Sequence, residues 1–200
     1  MKRVFFIMLA AMTQIPLLCY CSKKDNWPNP YYGSLSLNGT EMRECRQGRS
    51  SLRGRFGYVI KNGKFKLLYY PLPFVSEEGS SFHFKFEFIM SVADFECEKQ
   101  YTYIASDSAK PWQDWDDALE TMFGDEHVEP TMSVDVFSYH VEADSGYILF
   151  KEGWNLEGNP GETTCAGIEF GFDFEYKGVV YHVVDGFAIP KPGDTTYDVW

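Results

Sequence analysis

The sequence predicts an all-β fold, either an antiparallel β-sandwich or a lipocalin-like barrel, with about nine strands and one short helix. From Ile168 to Tyr176 an apolar side chain occupies every second position, with Glu, Gly or Asp between, which is the pattern of a half-buried strand. The stretch from Phe82 to Met90 repeats this alternation. Asn62-Gly63 and Lys177-Gly178 separate apolar runs and predict tight hairpin turns.

Length and composition indicate a single domain with a large core. The chain has 200 residues, among them 17 Phe, 13 Tyr and 5 Trp, and aromatic side chains suit both strands and cores. No internal repeat or low-complexity tract divides the chain. The formal net charge is −11, which would repel the phosphate backbone of a nucleic acid, so we expect no nucleic-acid partner.

The N-terminus has the features of an export signal. Lys2 and Arg3 precede the apolar stretch Val4–Ala11, which is too short to span a bilayer, and Leu18 stands three residues before Cys21. This arrangement resembles a bacterial lipobox. The polar run that follows resembles the start of mature lipoproteins from Bacteroidota: Cys21-Ser22-Lys23-Lys24-Asp25-Asn26.

The resemblance implies where the protein sits. Residues 1–20 would be a lipoprotein signal peptide, and Cys21 would become the palmitate-bearing, diacylated N-terminus. Residues 21–30 would then be a tether to one β-rich domain of residues 31–200. Ser22 implies sorting to the outer membrane, without indicating which side of it the domain faces. Lipidation at Cys19, and plain secretion with cleavage nearby, remain alternatives.

Candidate strands follow one another along the domain. Tyr31–Leu37 is expected to be the first strand, and Glu41–Arg55 is expected to be mainly loop with a short strand edge. Asp185-Gly186 is expected to break the second arm of a final hairpin. The further predicted strands are Phe56–Ile60, Phe65–Tyr70, Phe82–Met90, Gln100–Ala105, Met132–Val141, Tyr147–Lys151 and the two arms of that hairpin, Ala166–Ile189.

One segment, Pro111–Phe123, predicts a helix, because its large apolar side chains recur every three or four residues. Trp112 and Trp115 belong to this apolar face. Exposed aromatic rings can also stack on sugars, so Trp112, Trp115 and Trp154 are candidate ligand-binding residues. The alternative for the first two is that they anchor the helix to the core.

The last quarter of the chain carries a second resemblance. Three stretches occur in order: Ser145–Phe150, with a glycine before an apolar run; Ala166–Phe174, with Phe170, Phe172 and Phe174 at alternate positions; and Val184–Ile189, with Asp185-Gly186-Phe187. This succession is similar to the closing half of uncharacterised outer-membrane lipoproteins of Bacteroidota. The resemblance implies a β-rich fold and an envelope location, and it implies no active residue.

No motif assigns a catalytic residue. The chain has neither a Gly-x-Ser-x-Gly elbow nor a Gly-rich phosphate loop, and no local partner orients any of its four histidines. Asp173 and Glu175 would lie on one strand face about 7 Å apart, within reach of an inverting glycosidase pair. Asp114, Asp116 and Asp117 are a second set of clustered carboxylates, but a solvated surface explains both sets.

Cysteines and short motifs add little chemistry. Cys45, Cys97 and Cys165 allow three disulfide pairings, and their spacing does not suggest a metal site. We therefore expect neither a metal nor another cofactor. Asp107-Ser108-Ala109 resembles the acceptor pattern for O-glycosylation in Bacteroidota, which makes Ser108 a candidate modification site.

Together these features favour a lipid-anchored envelope protein that binds or scaffolds without catalysis. Its expected partners are the lipid membrane, through acylated Cys21, and either a glycan or another envelope protein. One alternative is a lipocalin-like carrier with an apolar ligand inside a barrel lined by Phe82, Phe84, Phe86, Phe170, Phe172 and Phe174. The other alternative is a glycan hydrolase with a carboxylate pair.

Overall fold

The computed structural model describes residues 33–45, 55–104, 124, 127–154, 156 and 167–189. These residues form thirteen strands and a single 3-10 turn, Val92–Asp94. The helix predicted over 111–123 lies outside them. The strands are β1 (Gly33–Leu37), β2 (Thr40–Glu44), β3 (Arg55–Lys61), β4 (Lys64–Tyr70), β5 (Phe74–Ser76), β6 (Ser81–Phe82), β7 (Lys85–Ser91), β8 (Gln100–Ile104), β9 (Thr131–Val136), β10 (Val141–Glu142), β11 (Ser145–Phe150), β12 (Ile168–Tyr176) and β13 (Val179–Ala188).

The strands form two antiparallel sheets, as the predicted all-β class requires. The larger sheet has eight strands in the order β6-β5-β2-β1-β13-β12-β11-β8, and the smaller has five in the order β10-β9-β7-β4-β3. The sheets are arranged as a sandwich rather than a closed barrel, so the sandwich prediction is confirmed and the lipocalin-like barrel is wrong. The strand count exceeds the predicted nine because short strands such as Phe74–Ser76 carry little sequence signal.

Tight turns fix the register of the hairpins. Asn38-Gly39, Asn62-Gly63 and Lys177-Gly178 each combine two residues with positive φ, between 48° and 82°. Two successive positive-φ residues form the turn whose twist matches that of a two-stranded ribbon. The predicted hairpins of β3 with β4 and of β12 with β13 are therefore confirmed.

Phenyl rings fill the space between the sheets. Rings of the two sheets meet there, with the ring centroids of Tyr69 on β4 and Phe170 on β12 separated by 5.8 Å and those of Phe65 on β4 and Phe150 on β11 by 5.5 Å. Seven phenylalanines of the two predicted alternating stretches are at most 4% exposed: Phe82, Phe84, Phe86, Phe88, Phe170, Phe172 and Phe174. Interiors packed in this way lose stability when a ring is removed.

The stretch from Phe82 to Met90 departs from its prediction as a single strand. Ser81–Phe82 belongs to the eight-stranded sheet and Lys85–Ser91 to the five-stranded sheet, so the chain crosses between sheets at His83 and Phe84. The alternation survives the crossing because the inward side of each sheet faces the same core, and Phe84 is itself fully buried.

The first and last described strands are direct neighbours in the larger sheet. β1 pairs with β2 on one side and with β13 on the other. Gly33 is opposite Ala188, and Leu37 is opposite Val183. The centre of this sheet therefore consists of segments from opposite ends of the domain.

Candidate functional site

The outer face of the eight-stranded sheet carries a shallow depression of about 400 Å³. It lies over β8, β11, β12 and β13, which are consecutive in the sheet. Because Phe170, Phe172 and Phe174 point into the core, the alternate residues of β12 and their cross-strand partners point outward. The outward residues that line the depression are Gln100, Thr102, Ile104, Ser145, Tyr147, Gly171, Asp173 and Val184.

Tyr147 lies across the sheet instead of standing upright on it. Its direct cross-strand partner is Gly171. A Cβ added at Gly171 would be 2.5 Å from Tyr147 Cε1 and 3.1 Å from its Cζ, so the ring covers the backbone of the glycine. The absence of a side chain at position 171 thus lets an aromatic ring lie along the floor of the depression.

A β-bulge in β13 faces the same glycine. Phe170 pairs with Gly186 and Phe172 pairs with Val183, so Gly171 is opposite two residues, Val184 and Asp185. Asp185 has a φ of 52°, in the left-handed region that Asp tolerates better than most residues. Asp185-Gly186 therefore bends β13 without ending it, and the predicted break is wrong. Bulges of this kind re-aim side chains and often accompany functional sites.

Asp173 holds two polar side chains of the neighbouring strands. Its Oδ1 lies 2.8 Å from Nδ1 of His182, which is opposite it on β13. Its Oδ2 accepts a hydrogen bond of 3.3 Å from Ser145 Oγ, on the other side in β11. Both side chains of the Asp173–His182 pair remain accessible, at 43% and 59% exposure.

This arrangement differs from that of a catalytic triad. In a triad, the serine hydroxyl is hydrogen-bonded to the imidazole that will accept its proton. Here Ser145 and His182 contact opposite oxygens of the same carboxylate, so the imidazole does not activate the hydroxyl. The cluster instead offers hydrogen-bond partners for a ligand.

The backbone near His182 is fixed by Asn38, in the turn after β1. The His182 N–H donates a hydrogen bond of 2.8 Å to Asn38 Oδ1, and the Asn38 N–H donates one of 3.0 Å to the His182 carbonyl.

Tyr103 and Tyr147 present neutral hydroxyls near neutral pH. Burial, and then the charge of Glu142, raises the pKa of Tyr103 to about 12. Burial also raises the pKa of Tyr147, with smaller effects from nearby carboxylates.

Trp154 is not an exposed platform. It is 6% exposed, its Nε1 donates a hydrogen bond of 3.1 Å to the Gly167 carbonyl, and its ring packs edge-on against Phe65 and Phe150. The prediction that Trp154 is available to a ligand is therefore wrong, because the side chain forms part of the core. Trp112, Trp115, Ser108 and Cys21 lie outside the described residues.

The described cysteines and acidic side chains form no metal centre. Cys45 is buried, Cys97 is partly buried, and the two are not bonded to each other, while Cys165 lies outside the described residues. Cys97 Sγ lies 3.6 Å from the Trp154 carbonyl oxygen. Within the described part of the chain, no group of three His, Cys, Asp or Glu side chains is placed to hold a metal ion.

Sequence reasoning missed the pairing of Asp173 with His182, although a signal for it exists. A two-residue turn at Lys177-Gly178 makes the fourth residue before it face the fourth residue after it. Those residues are Asp173 and His182. The contribution of Tyr147 has no such signal, because it depends on the register between β11 and β12.

Comparison with protein-family models, with curated proteins and with solved structures gives no match. Among the described residues, no helix has the length and apolar character needed to cross a bilayer.

Proposed function

We propose that this protein is a non-catalytic binding module of the bacterial cell envelope, anchored in the outer membrane by acyl chains on Cys21, and that its ligand is a glycan. The observation that carries the proposal is the depression on the eight-stranded sheet, which is lined both by Tyr147, whose ring covers Gly171, and by Asp173, the partner of His182. An aromatic face next to fixed polar groups suits a sugar, which has an apolar face and a rim of hydroxyls.

The described core supports binding at the surface over transport inside the domain. The six phenylalanines expected to line a carrier's cavity are at most 4% exposed and contact one another. Asp173, half of the expected hydrolase pair, is engaged by Ser145 and His182. These contacts therefore support neither the lipocalin-like carrier nor the glycan hydrolase with a carboxylate pair.

The position of the depression agrees with a lipid anchor at the N-terminus. Gly33 begins β1 opposite Ala188, so a tether from Cys21 would reach the sheet at that end. Val184, which lines the depression, precedes Ala188 by four residues, or about 13 Å along an extended strand. The depression would then lie near the middle of the sheet, clear of the point where the tether arrives.

The detergent-solubilised full chain, applied to an array of bacterial and plant glycans, tests the proposal. We expect binding that falls about tenfold or more in a variant combining Asp173→Ala and His182→Ala. Tyr70→Ala is the matched control, because Tyr70 is an exposed aromatic residue outside the depression. Absence of binding to every glycan by the unmodified chain, or equal loss in the control, would contradict the proposal.

A further inference from the structure

The charges around the depression select among glycans. Of the described residues that line it, none is Lys or Arg, and Asp173 is the one carboxylate. Two further carboxylates, Asp185 and Glu169, act on the Tyr147 hydroxyl. Among the described residues, the charges that act on the depression and on Tyr147 are thus negative, on a chain whose net charge is −11.

Lys151, a described lysine on the same face, already pairs with two carboxylates. Its Nζ lies 3.0 Å from Glu98 Oε2 and 3.1 Å from Glu169 Oε1. A bound uronate or sulfate would have to compete with both carboxylates for this cation. An anionic sugar would therefore be desolvated without gaining a charged partner.

The polar groups of the depression instead match uncharged hydroxyls. Asp173, which lines the depression, can accept hydrogen bonds from sugar hydroxyls. The exposed imidazole of His182 adjoins it, with Nδ1 2.8 Å from Asp173 Oδ1. Gln100 and Thr102 add an amide and a hydroxyl on the β8 side. The Tyr147 ring, lying over Gly171, supplies a flat apolar surface beside them.

We infer that the ligand is a neutral glycan, stacked on Tyr147 and hydrogen-bonded through its hydroxyls to Asp173 and His182, and that uronate-containing and sulfated glycans are excluded. This inference rests on the proposed function and narrows its ligand class. Because no charge is exchanged on binding, the affinity for the neutral glycan is insensitive to salt.

The experiment compares two sets of immobilised polysaccharides with the detergent-solubilised full chain. The neutral probes are amylopectin, galactomannan and mixed-linkage β-glucan, and the acidic probes are polygalacturonate, alginate and chondroitin sulfate. Binding is measured by biolayer interferometry at about 25 mM and about 300 mM sodium chloride. We expect binding to at least one neutral probe, with less than about a twofold change between the two salt concentrations.

Variants connect the binding to the depression. Tyr147→Ala should weaken binding to the neutral probe about tenfold, whereas Tyr147→Phe keeps the ring and should stay within about twofold of the unmodified chain. Circular dichroism and thermal unfolding verify that each variant is folded. Tyr70→Ala, outside the depression, should leave binding unchanged.

The outcomes separate this inference from the proposed function. Preferential binding to an acidic probe, or binding lost in salt, would overturn the neutral ligand while leaving a glycan-binding module. Binding to no probe of either set, with the glycan array also blank, would overturn both. Neutral binding that survives Tyr147→Ala would overturn the assigned stacking surface.

Discussion

Tyr147 occupies the space that a side chain at Gly171, its cross-strand partner, would need. The ring and the glycine together form the floor of the depression. The same virtual Cβ would be 2.9 Å from the Val183 carbonyl oxygen, which belongs to the backbone of β13. Position 171 is therefore restricted from both neighbouring strands.

Gly171→Ala should destabilise the domain by about 1 to 3 kcal/mol, because the new methyl group must displace both the ring and the backbone. Urea unfolding followed by circular dichroism measures the change. Glu175→Ala, at an exposed outward position of the same strand, is the control and should change stability by less than about 0.5 kcal/mol. Adding Tyr147→Ala should recover only part of the loss, since the Val183 oxygen remains. Equal stability of the Gly171 and Glu175 variants would contradict the packing described.

Phe84→Ala should destabilise the domain by about 3 to 5 kcal/mol, the range for removing a buried phenyl ring. Phe84 is fully buried where the chain crosses between sheets, with ring centroids 5.2 Å from Phe172 and 5.6 Å from Phe74. Guanidinium unfolding compares it with Phe137→Ala, whose ring is 41% exposed and which should cost less than about 1 kcal/mol. Similar midpoints for the two variants would count against a shared aromatic core.

Alkaline pH should weaken the fold through Tyr103. Its pKa is raised to about 12 in the folded chain, mainly by burial and then by Glu142, against about 10 in an unfolded chain. A raised folded pKa contributes stability that is fully present below about pH 10 and is lost as the pH rises through about 12. Tyr103→Phe should lose less stability across this window than the unmodified chain, in urea unfolding at each pH. Parallel pH profiles for the two proteins would contradict this assignment.

Cys21→Ser should abolish incorporation of labelled palmitate and release the protein from the membrane fraction. The two or three acyl chains of a lipoprotein hold it far more firmly than a single chain would. Cys19→Ser is the matched control, because Cys19 lies two residues before Cys21, within the expected signal peptide, and its substitution should leave labelling intact. Loss of labelling in Cys19→Ser but not in Cys21→Ser would identify Cys19 as the lipidated residue. Absence of labelling in the unmodified chain would favour plain secretion.

Much of the fold could be predicted from local pattern. Alternation of ring and charge identifies β12, and the Asn62-Gly63 and Lys177-Gly178 turns identify two hairpins, because each feature depends on residues adjacent in sequence. The crossing at Phe84 could not be found in this way. Its side chain points to the core from either sheet, so the alternation continues without a sign of the change.

The candidate site was less predictable, because it depends on long-range register. Asp185-Gly186 suggests the end of a strand, whereas its neighbours β1 and β12 hold it in the sheet as a bulge. Trp154 suggests an exposed ring, and only the packing of Phe65 and Phe150 around it reveals a core residue. Composition alone does not distinguish these cases.

The pairing of β1 with β13 has a consequence for how the chain reaches its folded state. Gly33 on β1 cannot pair with Ala188 on β13 until Ala188 has been synthesised, so the larger sheet stays incomplete until nearly the whole domain has been made. Contacts this distant in sequence make folding slow. A nascent polypeptide that cannot close its larger sheet early therefore stays unfolded for longer while it is being made.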